Sequence, residues 1–157
     1  MNELLLAIIL SLLPISELRG GLPVAIDYAL KNNIGIFPIF LMVVTLNILA
    51  IFIAFFFLDF LHKHFMKIKF YKRIFGFFLK RTRKKAKDVE KNMKIYGYLA
   101  LAIFVAVPLP ATGAWTGVLI AWILGLNRKK SILAIALGVL GAGIIVLLAS
   151  LSIFSLI

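Results

Sequence analysis

The chain has 157 residues, 63% of them hydrophobic, and a mean hydropathy of +1.08. This composition excludes a water-soluble globular protein and predicts an integral membrane protein. The formal net charge of +12 does not indicate nucleic-acid binding, because thirteen basic residues lie between residues 61 and 94, beside apolar segments, as in cytoplasmic loops that face anionic lipid.

Two short apolar segments flank a polar turn at the start of the chain. Residues 4–13 form an apolar run that spans about 15 Å as a helix, roughly half of a bilayer's hydrocarbon core. Residues 14–23 interrupt it, and residues 22–30 form a second apolar arm. We predict a re-entrant helical hairpin with an internal turn, the alternative being one kinked spanning helix. The expected turn residues are Pro14, Gly20, Gly21 and Pro23, with the proline in the first turn of the second arm.

A long apolar segment and a basic segment follow. Residues 34–60 predict a membrane-spanning helix, and Asn47 near its middle either bonds a neighbouring helix or contacts substrate or ion. Residues 62–94 alternate aromatic and basic side chains at roughly helical spacing, which predicts an amphipathic helix at the membrane surface. The residues expected on the lipid surface are Lys80, Arg81, Arg83, Lys84 and Lys85.

A second interrupted segment precedes the last spanning helix. Residues 95–107 and 113–126 flank a turn, and basic residues on both sides predict that this segment enters and leaves on the cytoplasmic side. The expected turn residues are Pro108, Pro110, Gly113 and Gly117. Residues 132–157 then cross the membrane, with Ala134, Gly138 and Ala142 forming a close-packing face.

The two halves of the chain are related in sequence. A shift of 96 residues places Pro14 on Pro110, Ser16 on Thr112 and Gly21 on Gly117. The predicted fold is therefore one all-α integral membrane domain of two inverted repeats, residues 1–61 and 95–157, joined by the basic amphipathic connector 62–94. Each repeat is a re-entrant hairpin followed by one transmembrane helix. In transporters of this class the site lies at the midplane, where the broken segments meet.

The residues around Glu17 and the sequence 107–117 resemble a family named for small multidrug export, which is grouped with the DedA (VTT) superfamily. The resemblance covers nearly the whole chain and rests on residues 16–21 and 110–117. It implies paired re-entrant hairpins. For the wider superfamily it implies movement of lipids or lipid carriers, such as polyprenyl phosphates, across bilayers. The chain departs from superfamily members that carry charges in both hairpins, because residues 95–127 contain none.

The charged residues of the first hairpin are the main site candidates, since charge within a membrane is usually functional. We expect two helix N-termini, with Ser16 and Thr112 as caps, to converge and favour an anion. Arg19 would bind phosphate with its planar fork, while Glu17 and Asp27 would exchange protons. Glu17 and Arg19 forming a purely structural pair is the alternative. The expected substrate- or ion-binding residues are Ser16, Glu17, Arg19, Asp27, Asn47, Thr112 and Trp115.

Three functions remain open at this point. The first is a transporter of an anionic lipid or lipid carrier, coupled to a proton or cation. We expect a multi-pass cell-membrane protein with residues 62–94 and 127–130 in the cytoplasm. The second is a proton-coupled drug exporter, for which an aromatic box around Trp115 and Trp122 would be the sign. The third is a non-transporting assembly protein with a sealed hairpin junction. We expect no enzyme activity, cofactor or metal site, no nucleic-acid partner, and contacts with anionic lipid headgroups; a homo-oligomer is left open.

Overall fold

The computed structural model describes residues 3–65, 92–109 and 112–154, in which all regular structure is helical. The helices are α1 (Glu3–Leu12), α2 (Glu17–Lys31), α3 (Ile36–Phe65), α4 (Asn92–Ala106), α5 (Ala114–Ile123) and α6 (Arg128–Phe154). The order of two shorter helices and one long helix thus occurs twice. Within α3 and α6, the segments Ile36–His64 and Arg128–Ile153 are long and apolar enough to cross a membrane. The all-helical class and the two long apolar helices are therefore confirmed.

Helices α1 and α2 are the two arms of a hairpin. They pack along each other, and Lys31 Nζ at the end of α2 lies 3.5 Å from Glu3 Oε1 at the start of α1. A chain that continued in one direction would separate these two ends by the length of both helices. The alternative of a single kinked helix is therefore wrong.

The first turn is shorter than predicted, because it comprises residues 13–16 and α2 already begins at Glu17. Gly20 and Gly21 lie in α2, where a Cβ on Gly21 would overlap Ser11 Oγ of α1. The small size of Gly21 thus serves the packing of the two arms, whereas a Cβ on Gly20 would meet only the Ser16 side chain in the turn. Pro23 lies in the middle of α2 and not in its first turn, so it offers no N–H to the carbonyl group one turn earlier.

Helices α4 and α5 form a second hairpin, in which the backbone N–H of Asn127 donates to the Tyr98 hydroxyl at 3.0 Å. The turn between them contains Pro108 and Gly113, whereas Gly117 lies in α5. On α6, a Cβ at Gly138 would lie 2.6 Å from the Ala102 carbonyl oxygen of α4. With Ala134 and Ala142 also buried, the predicted close-packing face of α6 is confirmed.

The two hairpins approach each other from opposite ends of α3. The open end of the first hairpin lies beside the start of α3, because only residues 32–35 separate α2 from α3. The open end of the second hairpin lies beside the end of α3, where Asp59 accepts hydrogen bonds from Arg128 and Trp122. The tips of both hairpins therefore lie between the ends of α3.

The first turn is only partly internal, in contrast to the prediction. The side chains of Leu13 and Ile15 are 47% and 96% exposed, whereas Glu17 is only 7% exposed. The apolar side of the turn thus faces outward, and its charged side faces the second hairpin. The predicted lipid-surface residues of the connector and Pro110 lie outside the described residues.

Candidate functional site

Glu17 joins the two hairpins at the N-terminus of α5. Its carboxylate accepts hydrogen bonds from the backbone N–H groups of Ala114, at 2.9 Å, and Trp115, at 3.0 Å. The first N–H groups of a helix have no partner within the helix, and the helix dipole favours a negative charge there. Glu17 is therefore the cap of α5, supplied from the other hairpin.

The backbone at both ends of this contact is adapted to it. Glu17 has a φ of +46°, a left-handed conformation that costs a non-glycine residue about 1–3 kcal/mol and persists where the surroundings enforce it. On the other side, a Cβ at Gly113 would overlap the Glu17 carboxylate. The close approach of Glu17 to α5 thus requires glycine at position 113.

Arg19 forms a second link between the hairpins. Its Nη2 donates to the Thr112 hydroxyl oxygen at 2.7 Å. That hydroxyl also lies 2.7 Å from the Val107 carbonyl oxygen and 2.9 Å from that of Leu109, so its single proton closes the second turn. Thr112 therefore binds Arg19 and stabilises the turn, and it is not the cap of α5 that the sequence suggested.

The N-terminus of α2 is also bound by a side chain from another helix. Asn47 Oδ1 accepts a hydrogen bond from Leu18 N at 3.1 Å, and Asn47 Nδ2 donates to the Val43 carbonyl oxygen at 3.1 Å. Of the two alternatives for Asn47, bonding a neighbouring helix is the one observed. Ser16, the expected cap of α2, instead donates to the Leu10 carbonyl oxygen at 2.7 Å.

These contacts change the expectation that two free helix N-termini together bind an anion. Both helix N-termini do lie near the meeting point of the hairpins, but side chains of the protein itself occupy them. A neutral amide caps α2, and a carboxylate caps α5. An anionic substrate therefore has to be held elsewhere, or has to displace Glu17.

Asp27 lies apart from Glu17 and Arg19. The ten residues that separate it from Glu17 along α2 correspond to about 15 Å. Its carboxylate accepts a hydrogen bond from Lys31 Nζ at 2.6 Å, on the exposed open end of the hairpin. This hydrogen bond is the main cause that raises the pKa of Lys31 above its ordinary value. In this structure Asp27 belongs to a surface ion pair.

The tryptophan side chains of α5 pack against different parts of α3. The Trp115 ring meets Phe57 edge-on with 6.4 Å between ring centres, and the Trp122 ring meets His62 edge-on at 5.2 Å. Trp122 Nε1 also donates to Asp59 Oδ1 at 3.1 Å. The two indoles thus form a packing seam between α5 and α3 rather than the shared aromatic box that a drug-exporter hypothesis predicts.

Two cavities adjoin the meeting point of the hairpins. The smaller, of about 10 Å³, lies between Glu17, Asn47 and Gly113 and has room for about one water molecule. The larger is an open cleft of about 400 Å³, which we term the Arg19 cleft. The residues that line it include Arg19, Pro23, Pro108, Ile145, Ser150 and Ile153. Arg19 is the ionisable residue of its otherwise mostly apolar wall, and neither cavity is lined by Trp115 or Trp122.

Two residues near these contacts and cavities were not predicted as site residues from the sequence. One is Asp59, which accepts from Arg128 Nη1 at 2.8 Å and from Trp122, and so joins the ends of α3, α5 and α6. The other is Ser150, a buried hydroxyl on the wall of the Arg19 cleft. In both cases the available signal was a polar side chain within or beside an apolar helix, but the sequence does not name its partner.

The comparisons with known proteins give one match. A family model described as "Putative small multi-drug export protein" matches residues 17–145, which include the second turn, Glu17, Arg19 and Gly113. Comparison with curated proteins and with solved structures gave no match. The matched segment covers well over half of the chain and begins at Glu17, the residue that joins the two hairpins.

Proposed function

We propose that this chain, which belongs to the family of small multi-drug export proteins, transports an anionic lipid or lipid carrier of the polyprenyl-phosphate type across the cell membrane. The observation that carries this proposal is the Arg19 cleft, a mostly apolar cavity of about 400 Å³ whose wall includes Arg19. A guanidinium binds phosphate through paired hydrogen bonds, and apolar walls accept a hydrocarbon chain. The cleft thus suits an anionic amphiphile better than a cationic drug.

The membrane arrangement in this proposal follows from the opposed hairpins. Helices α3 and α6 cross the bilayer, and the two hairpins are re-entrant halves of inverted repeats that meet near the midplane. The contacts of Glu17 and Arg19 with the second hairpin support this arrangement. Residues 62–94 and 127–130 face the cytoplasm, where the basic connector binds anionic lipid headgroups.

Glu17 is the coupling residue of the proposal. As a carboxylate it makes two charge-assisted hydrogen bonds to the N-terminus of α5, and such bonds are roughly twice as strong as neutral ones. Uptake of a proton weakens this link and lets the hairpins move relative to each other. Since Arg19 lies two residues away and also contacts the second hairpin, that movement alters the exposure of the phosphate-binding group.

Each of the other two functions has one supporting observation. The family description names drug export, and in a proton-coupled exporter of amphipathic cations Glu17 would have to leave α5 to act as the counter-ion. The cavity of only about 10 Å³ at the hairpin junction suits a non-transporting assembly protein, but the open Arg19 cleft beside it does not. In all three functions the protein is not an enzyme.

The test is a lipid-flipping assay in reconstituted vesicles, with and without a proton gradient. We expect wild-type protein to move a phosphate-bearing lipid faster with the gradient. Glu17→Gln should remove the response to the gradient, because the amide cannot release a proton. Arg19→Lys should slow transport, because it keeps the charge but lacks the two-pronged donor.

The control is Glu3→Gln, which changes an exposed carboxyl group at the open end of the same hairpin and should leave transport unchanged. Movement of a cationic amphiphile in place of the lipid phosphate would favour the exporter. Vesicles that move neither class of molecule would contradict the transporter proposal.

A further inference from the structure

Ser150 differs from Ser11 and Ser152, two other serines of the apolar helices. Ser131 at the start of α6 also has no partner for its hydroxyl among the described residues, but it is fully buried and does not line the Arg19 cleft. Ser11 donates to the Ala7 carbonyl oxygen at 2.7 Å, and Ser152 donates to that of Leu148 at 2.9 Å. This bond to the preceding turn is how a serine usually satisfies its hydroxyl within a helix. In the described part of the chain no such bond joins Ser150 to Val146, and Ser150 is 5% exposed on the wall of the Arg19 cleft.

A hydroxyl group in an apolar environment is costly without a hydrogen-bond partner, by about 1–3 kcal/mol from mutational data. The Ser150 hydroxyl therefore favours a polar ligand in the cleft. Arg19 contributes to the wall of the same cavity, and its guanidinium has five N–H donors. One nitrogen of this group, Nη2, is bonded to Thr112, so the group retains donors for an anion.

The apolar wall of the cleft extends along α6. Ile145, Ala149 and Ile153 recur at four-residue spacing and form one row along α6. Ile145 and Ile153 are eight residues apart, about 12 Å along the helix axis, and Ser150 follows Ala149, the middle residue of this row. The hydrocarbon chain of a ligand whose headgroup lies between Arg19 and Ser150 can therefore lie along this row. The cavity volume of about 400 Å³ is at the small end of the range for ligand pockets, which suits a ligand with one hydrocarbon chain.

We propose that Ser150 binds the substrate headgroup: its hydroxyl donates to the phosphoryl group that Arg19 holds, while the single chain of the ligand lies along the α6 row. The inference rests on the proposed function for the class of substrate. It adds a second headgroup donor, on the helix that faces the first hairpin, and a place for the chain. The ligand is a membrane-dissolved amphiphile with one chain and a phosphate monoester headgroup.

The test measures equilibrium binding of dodecyl phosphate to the full-length protein in nanodiscs of neutral lipid. We expect Ser150→Ala to raise the Kd about tenfold, as for loss of one hydrogen bond to a charged group. Ser150→Thr, which keeps a hydroxyl, should bind within about threefold of wild type. Ser152→Ala is the matched control, because its exposed hydroxyl is bonded to Leu148, and it should bind as wild type does.

Two competitors separate the headgroup from the chain. Dodecyltrimethylammonium has the same chain with a cationic headgroup, and inorganic phosphate has the headgroup without a chain. Neither should displace dodecyl phosphate at equal concentration. Displacement by inorganic phosphate would contradict the role of the α6 row, and displacement by the cation would contradict the role of Arg19 and Ser150.

Equal binding by Ser150→Ala, Ser152→Ala and wild type would overturn the inference. Because the assay needs no gradient and no second compartment, its outcome is separate from that of the transport assay. Protein that binds dodecyl phosphate through Ser150 but moves no lipid contradicts only the proposed function. Protein that moves lipid phosphate equally well with Ser150→Ala contradicts only this inference.

Discussion

At the scale of single residues, Glu17 and Gly113 depend on each other. Gly113→Ala should displace the Glu17 carboxylate, because the added Cβ would overlap it. Ala114 and Trp115 would then lose their acceptor, and we expect the free energy of unfolding to fall by about 1–3 kcal/mol. Thermal unfolding in detergent measures this.

Gly97→Ala is the matched control for that change. Gly97 lies in α4, and a Cβ there would meet no atom within 4 Å. Replacing a helical glycine by alanine without a clash should raise stability by about 0.5–1 kcal/mol. If both variants unfold like wild type, Gly113 does not support the contact with Glu17.

Asn47 gives a second prediction at this scale. Asn47→Leu should leave the Leu18 N–H without its acceptor in the buried core, at a cost of about 1–3 kcal/mol. Thr45→Val is the control, since Thr45 is exposed on the same helix. Unfolding in increasing denaturing detergent compares the two, and equal stability would show that α2 does not need this cap.

The charges of Glu17 and Arg19 within an apolar hairpin were sufficient to select both residues from the sequence. Their partners were not predictable in the same way. Glu17 is bonded to the backbone N–H of Ala114, 97 residues away, and Arg19 is bonded to the hydroxyl of Thr112, 93 residues away. A backbone N–H has no sequence signature. Only the distance between the hairpin tips reveals that the cap of α5 comes from the first hairpin.

At the scale of the elements, the repeated pattern of proline, serine or threonine, and glycine has a physical cause. Ser16 and Thr112 each donate to a carbonyl at the end of the preceding arm. Gly21 and Gly117 each lie where a Cβ would overlap the preceding arm or come within 2.7 Å of it. The hydroxyl therefore closes the turn, and the glycine lets the two arms pack. The sequence alone suggested a turn role for these glycines, because glycine is typical of both settings.

Arm packing yields a third prediction. Gly21→Ala should force α1 and α2 apart, and overpacking of this kind typically costs about 1–3 kcal/mol. Adding Ser11→Ala should restore only part of the stability, because the Ala7 carbonyl oxygen would still lie 2.8 Å from the new Cβ. Thermal unfolding of the single and double variants measures the difference. Full recovery in the double variant would show that only the serine hydroxyl limits the approach of the arms.

At the scale of the whole molecule, composition and charge predicted the membrane class, two helices long enough to cross and two short-armed segments. They did so because burial in lipid requires long uncharged runs, which a sequence displays directly. The Arg19 cleft was not predictable, because its wall combines α2, the second turn and the end of α6. Residues so distant in sequence share no periodic signal.

Topology provides the last prediction, and the chain suits its test because it contains no cysteine. The Glu3–Lys31 contact marks one end of the molecule and the Asp59–Arg128 contact the other. Helix α3 connects these ends with 30 residues, about 45 Å, which exceeds a hydrocarbon core of about 30 Å.

A membrane-impermeant maleimide should therefore label single cysteines at Asn33 and Asn127 from opposite sides of sealed vesicles. Cysteines at His64 and Asn127 should be labelled from the same side. Labelling of Asn33 and Asn127 from one side would mean that α3 does not span the bilayer, and the two hairpins would then not enter from opposite faces.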